Sequence, residues 1–201
     1  MSVKKTAKKS RTEGGEGELR LIGGDWRSRK LRFPAVGGVR PTPARTRETL
    51  FNWLSHHLAD ARCLDLFAGS GALGLEALSR GAREVTLVDK TPALAKALIA
   101  NLKTLNARCG RVVCCPVEDF LAQTPAAPYD IIFLDPPFRQ GWAERLLPIL
   151  AREGWVGEGS RVYMEHESEL TALPYPDNWE LHRKKTAGQV TYNLFRVLAN
   201  S

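Results

Sequence analysis

Two short motifs in the sequence combine residue types that can bind a nucleotide-bearing cofactor and hold a reacting amino group. The first motif, CLDLFAGSGALG, spans residues 63–74 and carries the pattern G-x-G-x-x-G at Gly69, Gly71 and Gly74. Glycines at this spacing form a tight strand-to-helix turn whose backbone comes close to a bound nucleotide. Because an apolar strand pattern precedes the turn and a helical pattern follows it, we interpret it as a cofactor-binding loop.

The acidic residues near this loop favour a cofactor other than a dinucleotide. Asp65 stands four residues before Gly69, which gives D-x-F-x-G-x-G with Phe67 inside it. A carboxylate there is poorly suited to a pyrophosphate, but it can meet an ammonium group directly or through water. S-adenosylmethionine carries an ammonium and a sulfonium and has no phosphate, so it fits better than NAD. Asp89 ends the next strand, where it can accept both ribose hydroxyls of either cofactor.

A further acidic segment, Glu118-Asp119-Phe120, follows the third predicted strand. An acidic side chain there can accept a hydrogen bond from an adenine amino group. It can equally be the acidic first turn of a helix, and the sequence leaves both interpretations open. The predicted cofactor residues are Asp65, Phe67, Gly69, Ser70, Gly71, Asp89, Lys90, Glu118, Asp119 and Phe120.

The second motif, Asp135-Pro136-Pro137-Phe138, is suited to holding a nucleobase amino group. Such a group is a poor nucleophile, because its lone pair is delocalised into the ring. The Asp135 carboxylate and the Pro136 carbonyl offer two acceptors that orient its N–H bonds, and the prolines fix the backbone φ angles. Phe138 offers a stacking face, worth about 1–3 kcal/mol. Positioning then supplies much of the rate, so we predict these four residues to be catalytic.

The elements that must position both motifs alternate between strands and helices from residue 62 onward. Strand patterns are CLDLF, EVTLVD, RVVCC and YDIIFLD, with helical stretches near 72–80, 92–106, 118–123 and 142–152. A strand RVYMEHE and a closing antiparallel pair around Ala187-Gly188 complete the series. This order predicts an α/β doubly wound sheet with its sites at the carboxyl ends of the strands.

The N-terminal quarter is predicted to be a basic extension of this sheet domain. Residues 1–18 have the composition of a disordered basic tail, and LRLIGG with RSRKLRFP predicts a β-hairpin around a Gly-Gly-Asp turn. Thr42 is the expected N-cap of the following helix, with Pro43 as its first residue. The predicted units are thus the tail 1–18, the hairpin and Arg-Pro-Thr segment 19–42, and the catalytic domain 43–201.

Charge and composition restrict the class of partner. Residues 1–47 hold 13 Lys and Arg against four acids, whereas the other 154 residues hold 16 against 18. A basic arm on a nearly neutral body indicates a polyanionic partner. The sequence has no apolar run of about 18 residues and no secretory signal, and its Cys and His residues lack metal-ligand spacing. We therefore expect a cytoplasmic protein without membrane or metal binding, and nothing requires more than a monomer.

Over residues 19–198, the chain resembles the RsmD family of bacterial methyltransferases, which modify a guanine N2 of 16S ribosomal RNA. The resemblance rests on RLIGGDWRSRKL, RPTPARTRETLFNWL, LDLFAGSGALGLEALSRGA, FLDPPF and KKTAGQVTYNLF occurring together. It implies a Rossmann-like class I methyltransferase fold, with seven strands of which the last is antiparallel, and S-adenosylmethionine as cofactor. The implied substrate is 16S ribosomal RNA within the small ribosomal subunit.

The resemblance also implies which residues contact RNA. The run from Arg40 to Glu48 matches the family's RPT-x-x-R-x-RE segment, although Pro43 stands where a polar residue is expected. Together with the hairpin, the predicted RNA-binding residues are Arg27, Arg29, Lys30, Arg32, Arg40, Thr42, Arg45 and Arg47. Three alternatives remain: an adenine-N6 methyltransferase on DNA, which shares the DPPF motif, an NAD(P)-dependent oxidoreductase, and a non-catalytic RNA-binding module.

Overall fold

A computed structural model describes residues 15–36, 41–152 and 154–199 of the chain. Its strands are β1 (Glu16–Arg20), β2 (Lys30–Pro34), β3 (Arg62–Asp65), β4 (Glu84–Val88), β5 (Gly110–Val113), β6 (Tyr129–Leu134), β7 (Val156–Glu167), β8 (Trp179–Ala187) and β9 (Val190–Val197). Its helices are α1 (Ala44–Trp53), α2 (Gly74–Ser79), α3 (Pro92–Thr104), α4 (Val117–Leu121) and α5 (Trp142–Arg152). None of the described helices is long and apolar enough to cross a bilayer.

The centre of the molecule is a seven-stranded sheet in the order β5-β4-β3-β6-β7-β9-β8. Strands β3 to β7 pair in parallel, whereas β9 runs antiparallel to both β7 and β8. The predicted α/β sheet with an antiparallel last strand is therefore confirmed. Because the order reverses between β3 and β6, the loops after these two strands diverge and leave a crevice at their carboxyl ends.

Helices cover both faces of the sheet, which explains why its central strands are apolar without alternation. Cys63 and Phe133 point to the face covered by α1, α2, α3 and the N-terminal hairpin. Leu64 and Leu134 point to the face covered by α4 and α5. All four side chains are fully buried, so the strand ends that carry the two motifs are fixed by the core.

The predicted N-terminal hairpin is confirmed, with different boundaries. β1 and β2 pair from Glu16 opposite Pro34 to Arg20 opposite Lys30, and residues 21–29 connect them. Residues 16–18 therefore belong to a strand, not to the predicted tail, because they complete the register opposite 32–34. Alternate apolar residues of the hairpin pack into the core beside α3. Residues 1–14, which make up most of the predicted tail, lie outside the described part of the chain.

The start of α1 differs from the prediction by one residue. The helix begins at Ala44 with Pro43 in the N-cap position, and the Thr42 side chain makes no capping hydrogen bond. The Thr42 hydroxyl instead donates to Oδ2 of Asp135, 3.1 Å away. Thr42 therefore connects the N-terminal segment to the second motif, a link of 93 residues in sequence.

Candidate functional site

Three carboxylates converge at the carboxyl ends of neighbouring strands. Asp65 ends β3, while Asp89 and Asp135 directly follow β4 and β6. Burial, together with the charges of Asp135 and Asp89, raises the pKa of Asp65 to about 7, although the hydrogen bond from Gly74 acts in the opposite direction. The crevice that the sequence predicted thus concentrates negative charge, as a site for a cationic ligand does.

Asp65 anchors the glycine loop from inside the protein. Its side chain belongs to a residue only 1% exposed, and its Oδ2 accepts the Gly74 N–H at 2.9 Å. Since Gly74 is the first residue of α2, this carboxylate occupies the helix N-terminus that a pyrophosphate would need. The Asp65 carboxylate thus uses Oδ2 on the helix, and its contact with a ligand ammonium, directly or through water, stays a prediction.

Asp89 holds the other side of the same loop. Its two oxygens accept the N–H groups of Gly69 at 2.9 Å and Thr91 at 2.8 Å, and the residue is half-buried. Each oxygen keeps a second lone pair for a ligand hydroxyl. Gly71 has φ +82°, and a Cβ there would lie 2.7 Å from Leu75, so only glycine suits this position.

A row of side chains beside the loop joins two of the predicted cofactor residues. Phe67 packs edge-on against Trp142, with ring centroids 5.0 Å apart. The Arg145 guanidinium lies 4.2 Å from the Trp142 ring centroid and pairs with Glu118. Trp142 and Arg145 were not among the predicted residues, although an aromatic residue and a base one helical turn apart after DPPF are a usable signal.

The remaining predicted cofactor residues are spread between core and surface. Phe120 is 7% exposed and packs against Trp155 with ring centroids 5.3 Å apart, so its side chain anchors α4 to the core. Asp119 and Lys90 are exposed, and Ser70 is buried within the loop. The acidic segment therefore forms the first turn of α4, as one interpretation has it, and its Glu118 pairs with Arg145. The contact with an adenine amino group stays a prediction.

The DPPF motif presents a held carboxylate and an open aromatic face. Asp135 is half-buried, and burial raises its pKa to about 6, while the hydrogen bond from Thr42 acts in the opposite direction. Pro136 is buried, whereas Phe138 is 38% exposed and free to stack. The motif thus places a half-buried carboxylate next to an exposed aromatic ring, and the catalytic role of its four residues stays a prediction.

A second buried acid lies beside Asp135, and it was not predicted. Leu134 at the end of β6 pairs with Met164 on β7, so the residues that follow them, Asp135 and Glu165, are neighbours. Glu165 is 5% exposed and accepts the Tyr163 hydroxyl at 2.9 Å. Burial and the nearby Asp135 charge raise the pKa of Glu165 well above its ordinary range. The protonated form of Glu165 is therefore favoured beside Asp135.

Arg47 is a structural residue, which corrects its predicted role in RNA binding. It is 4% exposed, and its guanidinium donates to the carbonyls of Thr42 at 3.1 Å and Arg20 at 3.0 Å. The same group lies 3.4 Å from Oε2 of the buried Glu76. Thr42 is also buried, with its hydroxyl on Asp135, and Arg40 lies outside the described residues.

The other predicted RNA-binding residues divide into paired and unpaired cations. Lys30 pairs with Glu18 at 3.0 Å and Arg32 with Glu16 at 2.7 Å, across the hairpin. These exposed pairs reduce the positive charge of that strand face. Arg27, Arg29 and Arg45 are exposed and form no ion pair within the part of the chain that the structure describes.

Comparison with known proteins places this arrangement in a family. The family model described as "Conserved hypothetical protein 95" matches residues 19–196. The chain belongs to this family. It is 50% identical over 188 residues to ribosomal RNA small subunit methyltransferase D of Escherichia coli K12, covering 94% of each chain. It is 41% identical to the protein of that name from Haemophilus influenzae, covering 94% of this chain and 99% of the relative.

Solved structures of family members have the same fold. The structure of yhhF from Escherichia coli matches with a TM-score of 0.86 and 48% identity, covering 92% of this chain and all of that one. HI0767 from Haemophilus influenzae matches with a TM-score of 0.79 and 40% identity, covering 91% of this chain and all of that one. The sheet order and the antiparallel β9 are those of the class I S-adenosylmethionine-dependent methyltransferase fold.

Proposed function

We propose that this protein transfers a methyl group from S-adenosylmethionine to the exocyclic N2 amino group of a guanine in 16S RNA of the small ribosomal subunit. The proposal rests mainly on the surroundings of Asp135. This carboxylate is half-buried, accepts a hydrogen bond from Thr42, and lies beside the exposed Phe138 and the glycine loop. The names of the 50% and 41% identical relatives support a ribosomal RNA substrate.

The residues around the glycine loop fit S-adenosylmethionine. Asp89 offers free lone pairs to ribose hydroxyls, Phe67 and Trp142 form an apolar wall, and the three carboxylates suit a cationic ligand. The Asp65 carboxylate already accepts the N–H at the start of α2, which disfavours NAD at this loop. When bound, the cofactor supplies a methyl group on a positively charged sulfur that leaves as a neutral thioether.

The DPPF motif supplies the orientation of the nucleophile. The Asp135 carboxylate and the Pro136 carbonyl accept the two N–H bonds of the amino group, and Phe138 stacks on the base. The nitrogen lone pair is then free to point at the methyl carbon, and positioning of this kind contributes most of the acceleration. After transfer, one amino proton leaves by way of Asp135 to water.

The preference for guanine has a simple chemical basis at Asp135. Guanine presents N1–H and N2–H donors side by side, whereas adenine presents an N6–H donor next to an N1 acceptor. Thr42 contacts only Oδ2 of Asp135. An ionised carboxylate can therefore accept both guanine donors, a pairing that adenine does not offer.

Methyl transfer from labelled S-adenosylmethionine tests the proposal directly. The purified protein is incubated with small ribosomal subunits, naked 16S RNA and duplex DNA, and the nucleosides are then analysed. We expect label in N2-methylguanosine from the small subunits. Label in N6-methyladenosine would contradict the guanine assignment, and micromolar binding of NADH without binding of S-adenosylmethionine would contradict the cofactor.

The rate of transfer should depend on pH through Asp135. Only the ionised carboxylate accepts two N–H bonds, so kcat/KM should fall as pH drops through about 6, the value to which burial raises this pKa. Replacing Thr42 with Val removes a donor that stabilises the ionised form, so the acid limb should move to higher pH. The measurement is a pH–rate profile of both proteins.

An exposed threonine provides the control for this profile. Thr104→Val removes a hydroxyl that donates only to the Ala100 carbonyl on α3. It should leave the acid limb where the unmodified protein has it. An identical shift in both variants would contradict a specific link between Thr42 and Asp135.

A further inference from the structure

A cleft of about 400 Å³ lies between α1 and the β8–β9 hairpin, apart from the cofactor loop. Three aromatic residues, Trp53, Tyr163 and Tyr192, contribute to its lining. The Thr46 hydroxyl on α1 donates a 3.4 Å hydrogen bond to the Tyr192 hydroxyl on β9. This contact holds the two sides of the cleft together. Tyr163 and Tyr192 are buried and form its base, whereas Trp53 is half-buried and offers a stacking surface for a nucleobase.

The charge of the cleft favours an anionic occupant. Arg45 and Lys185 line it, and no acidic residue does. Lys185 contacts the Thr49 hydroxyl at 3.4 Å, and neither cation forms an ion pair among the described residues. Two unpaired cations beside aromatic walls match the phosphate and base of a single-stranded nucleotide.

Two contacts connect the cleft to the catalytic carboxylate. Pro43 lines the cleft, and the residue before it, Thr42, donates to Asp135. Tyr163 lines it as well and donates to Glu165, the neighbour of Asp135 on the sheet. Phe138 does not line it, so a base stacked on Phe138 leaves the cleft free for the next nucleotide.

We propose that this cleft binds a nucleotide adjacent to the target guanine in a single-stranded segment of the RNA. Its base stacks against Trp53, and its phosphate pairs with Arg45 and Lys185. The inference rests on the proposed function, because it places the target base at Asp135. It adds a substrate subsite built from α1 and the C-terminal hairpin.

Neighbouring lysines of β8 provide a matched pair of variants. Lys185 is the cross-strand partner of Tyr192 and shares its face, whereas Lys184 pairs with Asn193 and points to the opposite face. We expect Lys185→Ala to raise KM for small subunits about 3- to 10-fold, with kcat within twofold. The slope of log affinity against log salt, for a fluorescein-labelled single-stranded RNA pentamer, should fall by about 0.7. Lys184→Ala should leave both quantities unchanged.

Trp53→Leu tests the stacking part of the proposal. A lost stack should weaken binding of the pentamer by about 5- to 100-fold, while the affinity for S-adenosylmethionine stays the same. Circular dichroism and thermal melting of each variant show whether it is folded, and the cofactor affinity serves as a second check.

Two failures are distinguishable in these measurements. Equal KM values and salt slopes for Lys185→Ala and Lys184→Ala would overturn the subsite even if the unmodified protein methylates subunits normally. Absence of methyl transfer to any RNA by the unmodified protein would instead overturn the proposed function. Pentamer binding that depends on Lys185 and Trp53 would support the cleft in either case, and binding that depends on neither would overturn it.

Discussion

Replacing Asp135 with Ala lowers kcat for methyl transfer by about 10²–10³-fold or more and leaves the affinity for S-adenosylmethionine within a few-fold. In the proposed function, the carboxylate orients the amino group of the base, whereas the glycine loop and Asp89, which are hydrogen-bonded to each other, hold the cofactor. Single-turnover transfer to small subunits measures the first quantity, and calorimetry with the cofactor measures the second.

Two further variants define what the Asp135 result means. Asp135→Asn keeps one oxygen acceptor, so we expect a smaller loss than with Ala. The exposed Asp177, between β7 and β8, is the control, and its replacement with Ala should leave kcat unchanged. Loss of cofactor binding in Asp135→Ala would contradict a base-holding role and assign Asp135 to the cofactor.

Replacing Glu76 with Ala lowers the free energy of unfolding by about 3–5 kcal/mol. Glu76 is fully buried on α2 and accepts hydrogen bonds from the Ile22 N–H at 2.9 Å and from Arg80 at 2.7 Å. It also faces the buried Arg47 at 3.4 Å. The Ala variant leaves the Arg47 charge buried without its partner, which is the costly outcome. Urea denaturation of the two proteins measures the difference.

An exposed ion pair of the same hairpin is the control for this prediction. Glu16 pairs with Arg32 at 2.7 Å, with both side chains more than half exposed. Glu16→Ala should cost less than about 1 kcal/mol, since solvent screens such pairs. If both variants lost the same free energy of unfolding, the contacts of Glu76 with Ile22, Arg80 and Arg47 would not be what holds the hairpin to α2.

Much of the fold and the position of the site follow from local patterns in the sequence. The apolar strands, the glycine turn at 69–74 and the proline start of α3 depend on residues close in the chain, and the structure has each of them. The DPPF motif was placed at a strand end for the same reason. Periodicity and turn chemistry act over a few residues, so they can be read without knowing the fold.

Contacts between segments that are distant in the chain determine which individual side chains are buried. Arg47 meets Glu76 across 29 residues and Thr42 meets Asp135 across 93, so both side chains are buried, although the family resemblance implied that they contact RNA. Phe120 went to the core for the same reason. The sequence gives the charge and shape of each side chain. Whether that side chain is buried depends on the partners that the tertiary structure places next to it.

The sequence by itself therefore determined the class of fold, and it predicted the loop proposed to bind the cofactor and the carboxylate proposed to hold the amino group. Only the tertiary structure decided that Asp65 closes the helix N-terminus, that Glu165 lies beside Asp135, and that an aromatic cleft adjoins them. The reason is physical: strands and turns are specified by short-range backbone preferences, whereas a site's electrostatics and shape arise where remote segments pack together.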